Sequence, residues 1–157
     1  MSKSDFPKLD ELFKRLGEAA KRDVVVGYPV ASGAQLHEDA GITNAQLAAR
    51  LSFGDPEKGL PARPFLDQGM KSGQKKVVGA LAQGLRKALR GEASVDDAFH
   101  LAGAVAVEEI KVEVRRGGQL APNKADTIKR KGSSTPLIDE GNMLDAMTSE
   151  VRNAGSQ

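Results

Sequence analysis

Apolar positions along the chain fall into two rhythms. Leu9, Leu12, Phe13 and Leu16 recur at steps of three and four, which predicts a helix reaching residue 22. Asp5 is placed to cap it, Pro7 fits its first turn and Gly17 weakens its end. Three consecutive valines, Val24 to Val26, then favour extended chain and predict a strand over residues 23–28, ended by Pro29. Residues 30–41 are rich in Gly, Ala and Ser and predict a mobile loop. Thr43 is suited to cap a short helix over residues 44–52, with Leu47 and Leu51 on one face and Gly54 as its stop.

Two longer helical patterns follow. Met70, Val77, Val78, Leu81, Leu85, Ala88 and Leu89 form one apolar stripe, which predicts a helix over residues 65–90 with Pro64 at its start. Gly69, Gly73, Gly79 and Gly84 interrupt that stripe, and each costs about 1 kcal/mol relative to Ala. Such a helix needs packing to hold it. Ser94, with Asp97 three residues on, then starts a helix running to about residue 116. Phe99, Leu101, Ala102 and residues 104–107 make its first half apolar on nearly all sides, predicting burial. Its second half alternates charges with Ile110, Val112 and Val114, a pattern that also admits strand. A short turn at Gly91 makes the two long helices an antiparallel hairpin. Beyond them come helical turns over residues 125–131 and 142–146. A closing strand over residues 147–152 would pair with residues 24–28.

Two loops break the polar habit of loops. Residues 53–66 set Phe53, Leu60, Phe65 and Leu66 beside Pro56, Pro61 and Pro64, and residues 131–144 set Leu137 and Ile138 beside Pro136. Proline excludes regular helix interior and central strand there. Stiff apolar turns of this kind dock onto the chain's own core or onto a neighbour. The domain reading is one unit over residues 1–152 with a loop at 53–64 and a C-terminal arm at 117–146, followed by a flexible tail at 153–157.

Composition narrows the chemistry. With 157 residues, 39% hydrophobic and 28% charged, the chain matches an ordinary globular protein. It has no Cys and no Trp, which excludes disulfides, thiolate metal sites and a cysteine nucleophile. The first residues carry no apolar signal segment, and the longest apolar run, Ala104 to Val107, is too short for a membrane span. The expected setting is the cytoplasm or a particle assembled there. Net charge is +2, yet residues 71–90 carry six basic side chains and no acid, and residues 111–131 carry seven against Glu113 and Asp126. Such stretches either balance acids elsewhere or meet phosphate.

No constellation of residues points to catalysis. His37, Glu38 and Asp39 are adjacent, and three consecutive side chains do not converge on one ion without a special loop. His100 lies between Phe99 and Leu101 on a helix. Asp96-Asp97 and Glu108-Glu109 are helical neighbours about 100° apart, which suits capping and solvation. Phosphate-binding glycine motifs and a nucleophile elbow are absent from the sequence. Lys124, Lys129, Arg130 and Lys131 suit phosphate but lack interleaved aromatics for base stacking.

An ordered series of short motifs runs through residues 24–151: Val26-Gly27, then residues 48–54 ending in Phe53-Gly54, then Pro61-Ala62-Arg63-Pro64-Phe65-Leu66. Pro122-Asn123, Thr127-Ile128 and Pro136-Leu137-Ile138-Asp139-Glu140-Gly141 follow. This succession resembles the tail-completion or virion-morphogenesis proteins of tailed bacteriophages, which sit at the neck or the head-proximal end of the tail. Glu140 departs from the pattern, where Thr is common, and residues 145–151 are less strand-like than in the family.

The resemblance implies an α+β fold: a small antiparallel sheet packed against a pair of long helices, with extended loops and an arm. It implies a structural, non-enzymatic role in the virion, with no cofactor and no small-molecule substrate. The partners it implies are further copies of the chain in a ring and neighbouring neck or tail proteins. Non-specific contact with packaged DNA is a further possibility. The candidate interface is Arg63, Pro64, Phe65 and Leu66, the basic arm Lys129, Arg130 and Lys131, and a second edge at Pro136, Leu137, Ile138 and Asp139. For Phe65 and Leu66, closing the chain's own core is an equal alternative. A nucleic-acid-binding module using residues 71–90 and 111–131 is the competing function.

Overall fold

The computed structural model of the chain describes residues 7–36, 41–116, 121–122, 125, 128–129 and 142–155. Helix α1 (Pro7–Ala19) leads into strand β1 (Arg22–Gly27), a short helix α2 (Val30–Gly33) and helix α3 (Asn44–Phe53). The long helices α4 (Phe65–Arg90) and α5 (Val95–Arg115) follow, then a turn of helix α6 (Asn142–Asp145) and strand β2 (Thr148–Asn153). The architecture is α+β. The two long helices pack along each other, and the two strands lie against α5.

Side-chain oxygens start two of the helices. Thr43 Oγ1 accepts from the Gln46 amide while Gln46 Oε1 accepts from the Thr43 amide, a reciprocal capping box. Ser94 and Asp97 form the same pair at the head of α5. Helix α4 ends at Gly91, whose φ of 82° is left-handed and whose amide donates back to Ala88 and Lys87. That single residue turns the chain into α5.

Three glycines of α4 earn their cost in the seam. A Cβ at Gly69 would stand 2.6 Å from the Ile110 Cα, one at Gly73 2.5 Å from the Glu109 Cβ, and one at Gly84 2.7 Å from the Ala98 Cα. Their bare backbones let α5 approach more closely than any side chain would allow. Gly79 meets nothing within 4 Å and plays no part in this contact.

Strands β1 and β2 pair antiparallel, with Val24 opposite Val151, Val25 opposite Glu150 and Val26 opposite Ser149. Val24, Val26 and Val151 pack into apolar clusters, while on the other face Arg152 Nε meets Asp23 Oδ1 at 2.9 Å. A two-stranded ribbon is marginal alone; here α5 supports it.

Two buried clusters sit at opposite ends of the hairpin. One gathers Ala48, Phe65, Ile110, Val114, Met143, Leu144 and Met147. The other gathers Ala88, Val95 and Phe99, joined by Ala19, Leu81 and Leu85. The strand alternative for residues 108–116 is overturned: Ile110 and Val114, one helical turn apart, are both fully buried, so the chain stays helical through Arg115. The expected all-round burial of the first half of α5 also fails, since Leu101 is 44% exposed and Ala104 faces water. Helix α1 stops at Ala19, and β1 begins at Arg22, both earlier than the sequence suggests. Residues 30–36 are more ordered than a mobile loop, with α2 and a bridge from Leu36 to Thr43.

Candidate interaction surface

The loop between α3 and α4 is a compact piece of structure. Asp55 and Leu60 pair across a single turn of 3-10 helix, Pro56–Lys58. Arg50 Nη2 meets Asp55 Oδ2 at 2.9 Å, and this contact holds the Asp55 carboxyl below its ordinary pKa. The loop then returns to α3, where the Arg63 amide donates to the Leu51 carbonyl at 2.9 Å.

The Arg63 guanidinium turns inward. Only 5% of the residue is exposed; its Nε donates to the Ala121 carbonyl at 2.8 Å and its Nη2 to the Pro122 carbonyl at 3.1 Å. Burial pulls its pKa down from the ordinary value, yet a guanidinium stays charged. Its fork therefore fastens residues 121–122, at the start of the C-terminal arm, to the α3–α4 loop. Phe65 is 0% exposed and fills the larger cluster. Leu66 is half-buried and packs on that cluster, and Pro64 is half-buried as the residue that opens α4.

Of its two equal alternatives Phe65 thus takes the one in the chain's own core, and Arg63 binds the chain's own backbone. Prolines on either side fold the loop back over the helix pair, and the apolar ring goes where it loses the most water contact. Lys129 is exposed. Arg130, Lys131, Pro136, Leu137, Ile138 and Asp139 lie outside the described residues, as does His37.

No protein family, curated protein or solved structure matches this chain. Among the described residues, no three His, Cys, Asp or Glu side chains gather to hold a metal ion, and no helix is long and apolar enough to cross a membrane. The acidic pairs have structural partners. Asp96 Oδ1 meets Arg22 Nε at 2.7 Å, Glu109 Oε1 meets Lys76 Nζ at 2.6 Å and Glu108 Oε1 meets Arg115 Nη1 at 3.2 Å. Asp97 is held below its ordinary pKa by the Ser94 hydroxyl it caps with. Tyr28 donates to the Met143 carbonyl at 2.9 Å, and burial raises its phenol pKa. His100 is exposed on α5.

What the surface does offer is apolar. Leu9, Phe13 and Leu16 of α1 are 44%, 61% and 44% exposed, and Phe53 at the end of α3 is 82% exposed. Val30 and Leu36 also face water. The α1 periodicity is visible in the sequence, but periodicity alone does not say which part of an apolar face the body covers. Phe53 reads there as a helix end, and nothing in the local pattern separates it from the buried Phe65.

Proposed function

We propose that this chain is a structural component of a tailed-phage particle, at the neck or the head-proximal end of the tail, where it joins copies of itself and neighbouring virion proteins. The observation that carries the reading is a contrast between spent and unspent residues. Among the described residues, Asp55, Asp96, Asp97, Glu108, Glu109 and Arg63 are engaged in caps, ion pairs and tethers. Large apolar side chains meanwhile face water on α1 and at the end of α3. An apolar face flanked by polar side chains is the mark of an assembly surface. The ordered motifs from Val26-Gly27 to residues 136–141 give this surface its setting.

Deleting the chain from its phage should leave heads and tails unjoined or unfinished by electron microscopy, with infectivity restored by supplying the chain in trans. Fully infectious particles from the deletion would overturn the proposal.

A second reading rests on α4. Lys71, Lys75, Arg86 and Arg90 are all exposed and recur along one side of the helix, close to Lys76 and Lys87. Such a stripe suits a phosphate backbone and reads no sequence. DNA retention that falls steeply with salt, and that is lost when these four residues are changed to Gln, would favour it.

A further inference from the structure

We propose that β2 is the seam of a two-fold pair. Its outer edge adds antiparallel to the same edge of a second copy of this chain, giving a four-stranded sheet. The inference concerns two copies alone and stands or falls apart from the virion setting.

A two-stranded sheet leaves two strand edges, and the body covers one of them more than the other. No residue of β1 is exposed, Val26 packs on the larger cluster, and a Cβ at Gly27 would lie 3.8 Å from Leu66 of α4. On β2, Thr148, Glu150 and Asn153 are exposed. The Ala154 amide donates to the Lys21 carbonyl at 2.8 Å, which fixes the phase of the ladder. Backbone groups of residues 148, 150 and 152 then face β1, while those of Ser149 and Val151 face outward. Among the described residues, nothing pairs with those outward groups. Such an edge is a template for another strand.

The side chains choose which strand. With Val151 opposite its own copy, Glu150 stands opposite Arg152 of the second copy, and Arg152 opposite its Glu150. Glu150 is exposed and has no ion pair among the described residues, whereas Arg152 Nε already meets Asp23 Oδ1 at 2.9 Å. A row across the joined sheet then reads acid, base, acid: Asp23, Arg152, and Glu150 of the second copy. Opposite charges facing each other across a ladder favour it, and like charges oppose it. A shift of two residues either way sets Glu150 against Glu150 or Arg152 against Arg152, so the charges fix the register. The edge of β1 has no such match, since a two-fold register about Val24 sets Asp23 against Val25.

The helix beneath the sheet fits the same axis. A Cβ at Gly103 would meet both Ser149 of β2 and Val24 of β1, so α5 runs under the pair. Its Ala98 side faces α4, while His100 and Ala104, one turn apart, are exposed on the side away from α4. Because β1 is the strand nearer α4, the open edge of β2 lies over that exposed side. A two-fold axis beside β2 sets α5 and its copy two strand spacings apart, roughly 10 Å, the distance at which helices pack. The small side chain of Ala104 admits that approach. The contact is thus a strand edge with a helix side beneath it, self-complementary and closed at two copies.

Two variants test this: Glu150→Arg, and Asp23→Lys combined with Arg152→Glu, which reverses the ion pair inside the ribbon instead of removing it. In sedimentation the wild type should dimerise with a Kd below about 100 μM, and each variant alone, with like charges opposed, should weaken that by about tenfold or more. An equimolar mixture should recover a one-to-one dimer, because the two sets of charges are then complementary. Circular dichroism should show both variants folded like the wild type. In the wild type, the Ser149 and Val151 amides should exchange with solvent more slowly in the dimer than in the dilute monomer, a reading that needs no variant. A wild type monomeric at that concentration would overturn the proposal and leave the edge to a strand of another protein. A dimer whose Ser149 and Val151 amides exchange as in the monomer, or a mixture of folded variants that associates no better than its parts, would overturn it as well. Infectivity of the deletion phage bears on none of these readouts.

Discussion

The two ends of the α4–α5 hairpin are covered by unlike means. At the Phe65 end the chain wraps itself: α3, the proline loop, α6 and Tyr28 close over a cluster whose largest members, Phe65, Ile110 and Val114, are sealed from water. At the Gly91 end Val24 and Val151 of the sheet and one helix, α1, lie over the cluster; α1 is held by Ala19 and the Arg15–Ala88 hydrogen bond and turns Leu9, Phe13 and Leu16 outward. Proline beside an apolar residue marks the closed end. Amphipathic periodicity marks the open one. The proline loop before α4 sends Phe65 to the interior, and a regular helix, α1, leaves apolar surface in water.

The sharpest test of that contrast is a pair of phenylalanines. Phe65→Ala should cost about 3–5 kcal/mol in urea or thermal unfolding, because it empties the sealed cluster. Phe13→Ala should change stability by no more than about 0.5 kcal/mol, since its ring is already in water. Equal losses would erase the distinction between the two ends.

The glycine seam should behave alike at both ends. Gly69→Ala and Gly84→Ala each place a Cβ against backbone atoms of α5 and should destabilise by about 1–3 kcal/mol. Gly79→Ala meets open space and should stabilise by up to about 1 kcal/mol through helix propensity. Denaturant titrations of the three variants side by side would show whether the close approach is real along the whole hairpin.

The arginines divide as the phenylalanines do. Arg63→Ala removes two charge-assisted hydrogen bonds from a buried site and should cost about 1.5–3 kcal/mol. It should also speed proteolytic cutting after the arm is released from the loop. Arg15→Ala removes the bond to the Ala88 carbonyl and the surface pair with Glu11 from a half-exposed site and should cost about 0.5–1.5 kcal/mol.

The smallest effect is expected at the Gly91 end in acid. Asp97 titrates below its ordinary value of 3.8 because the charged form accepts from Ser94. A depressed folded pKa means that its contribution is complete above the unfolded value. The contribution is lost as pH falls from about 3.8 through the lower folded value. Melting temperatures from pH 6 down to pH 2 should therefore fall less steeply in Asp97→Asn than in the wild type. Parallel curves would remove Asp97 from the account.

Much of the scaffold was legible because its signals are local. Thr43 and Ser94 cap where short polar side chains next to apolar runs predict, and Gly91 stops α4 where a left-handed residue is needed. The strand pair was also readable, since Val24 to Val26 favour extended chain. Residues 108–116 misled because charged and apolar positions alternate there. The deciding fact is that Ile110 and Val114 share one helical side facing Gly69 and the large cluster, which is tertiary information. The choice between core and surface in the proline loop stayed open in the sequence for a related reason. Phe53 and Phe65 sit in the same apolar, proline-flanked stretch, and only the return of Arg63 onto Leu51 decides which ring goes inward.

The pairing of Val24 with Val151 has a consequence for how the molecule comes into being. Ribosomes add roughly 5–20 residues each second, so β1 emerges on the order of 10 s before the segment that will complete its ribbon. Throughout that interval its three valines form an edge without its mate, while the helical hairpin, built from neighbours in sequence, can already have closed. The window for mispairing is thus written into the order of synthesis, and slowing translation across residues 116–147 should raise the aggregated fraction of newly made chain.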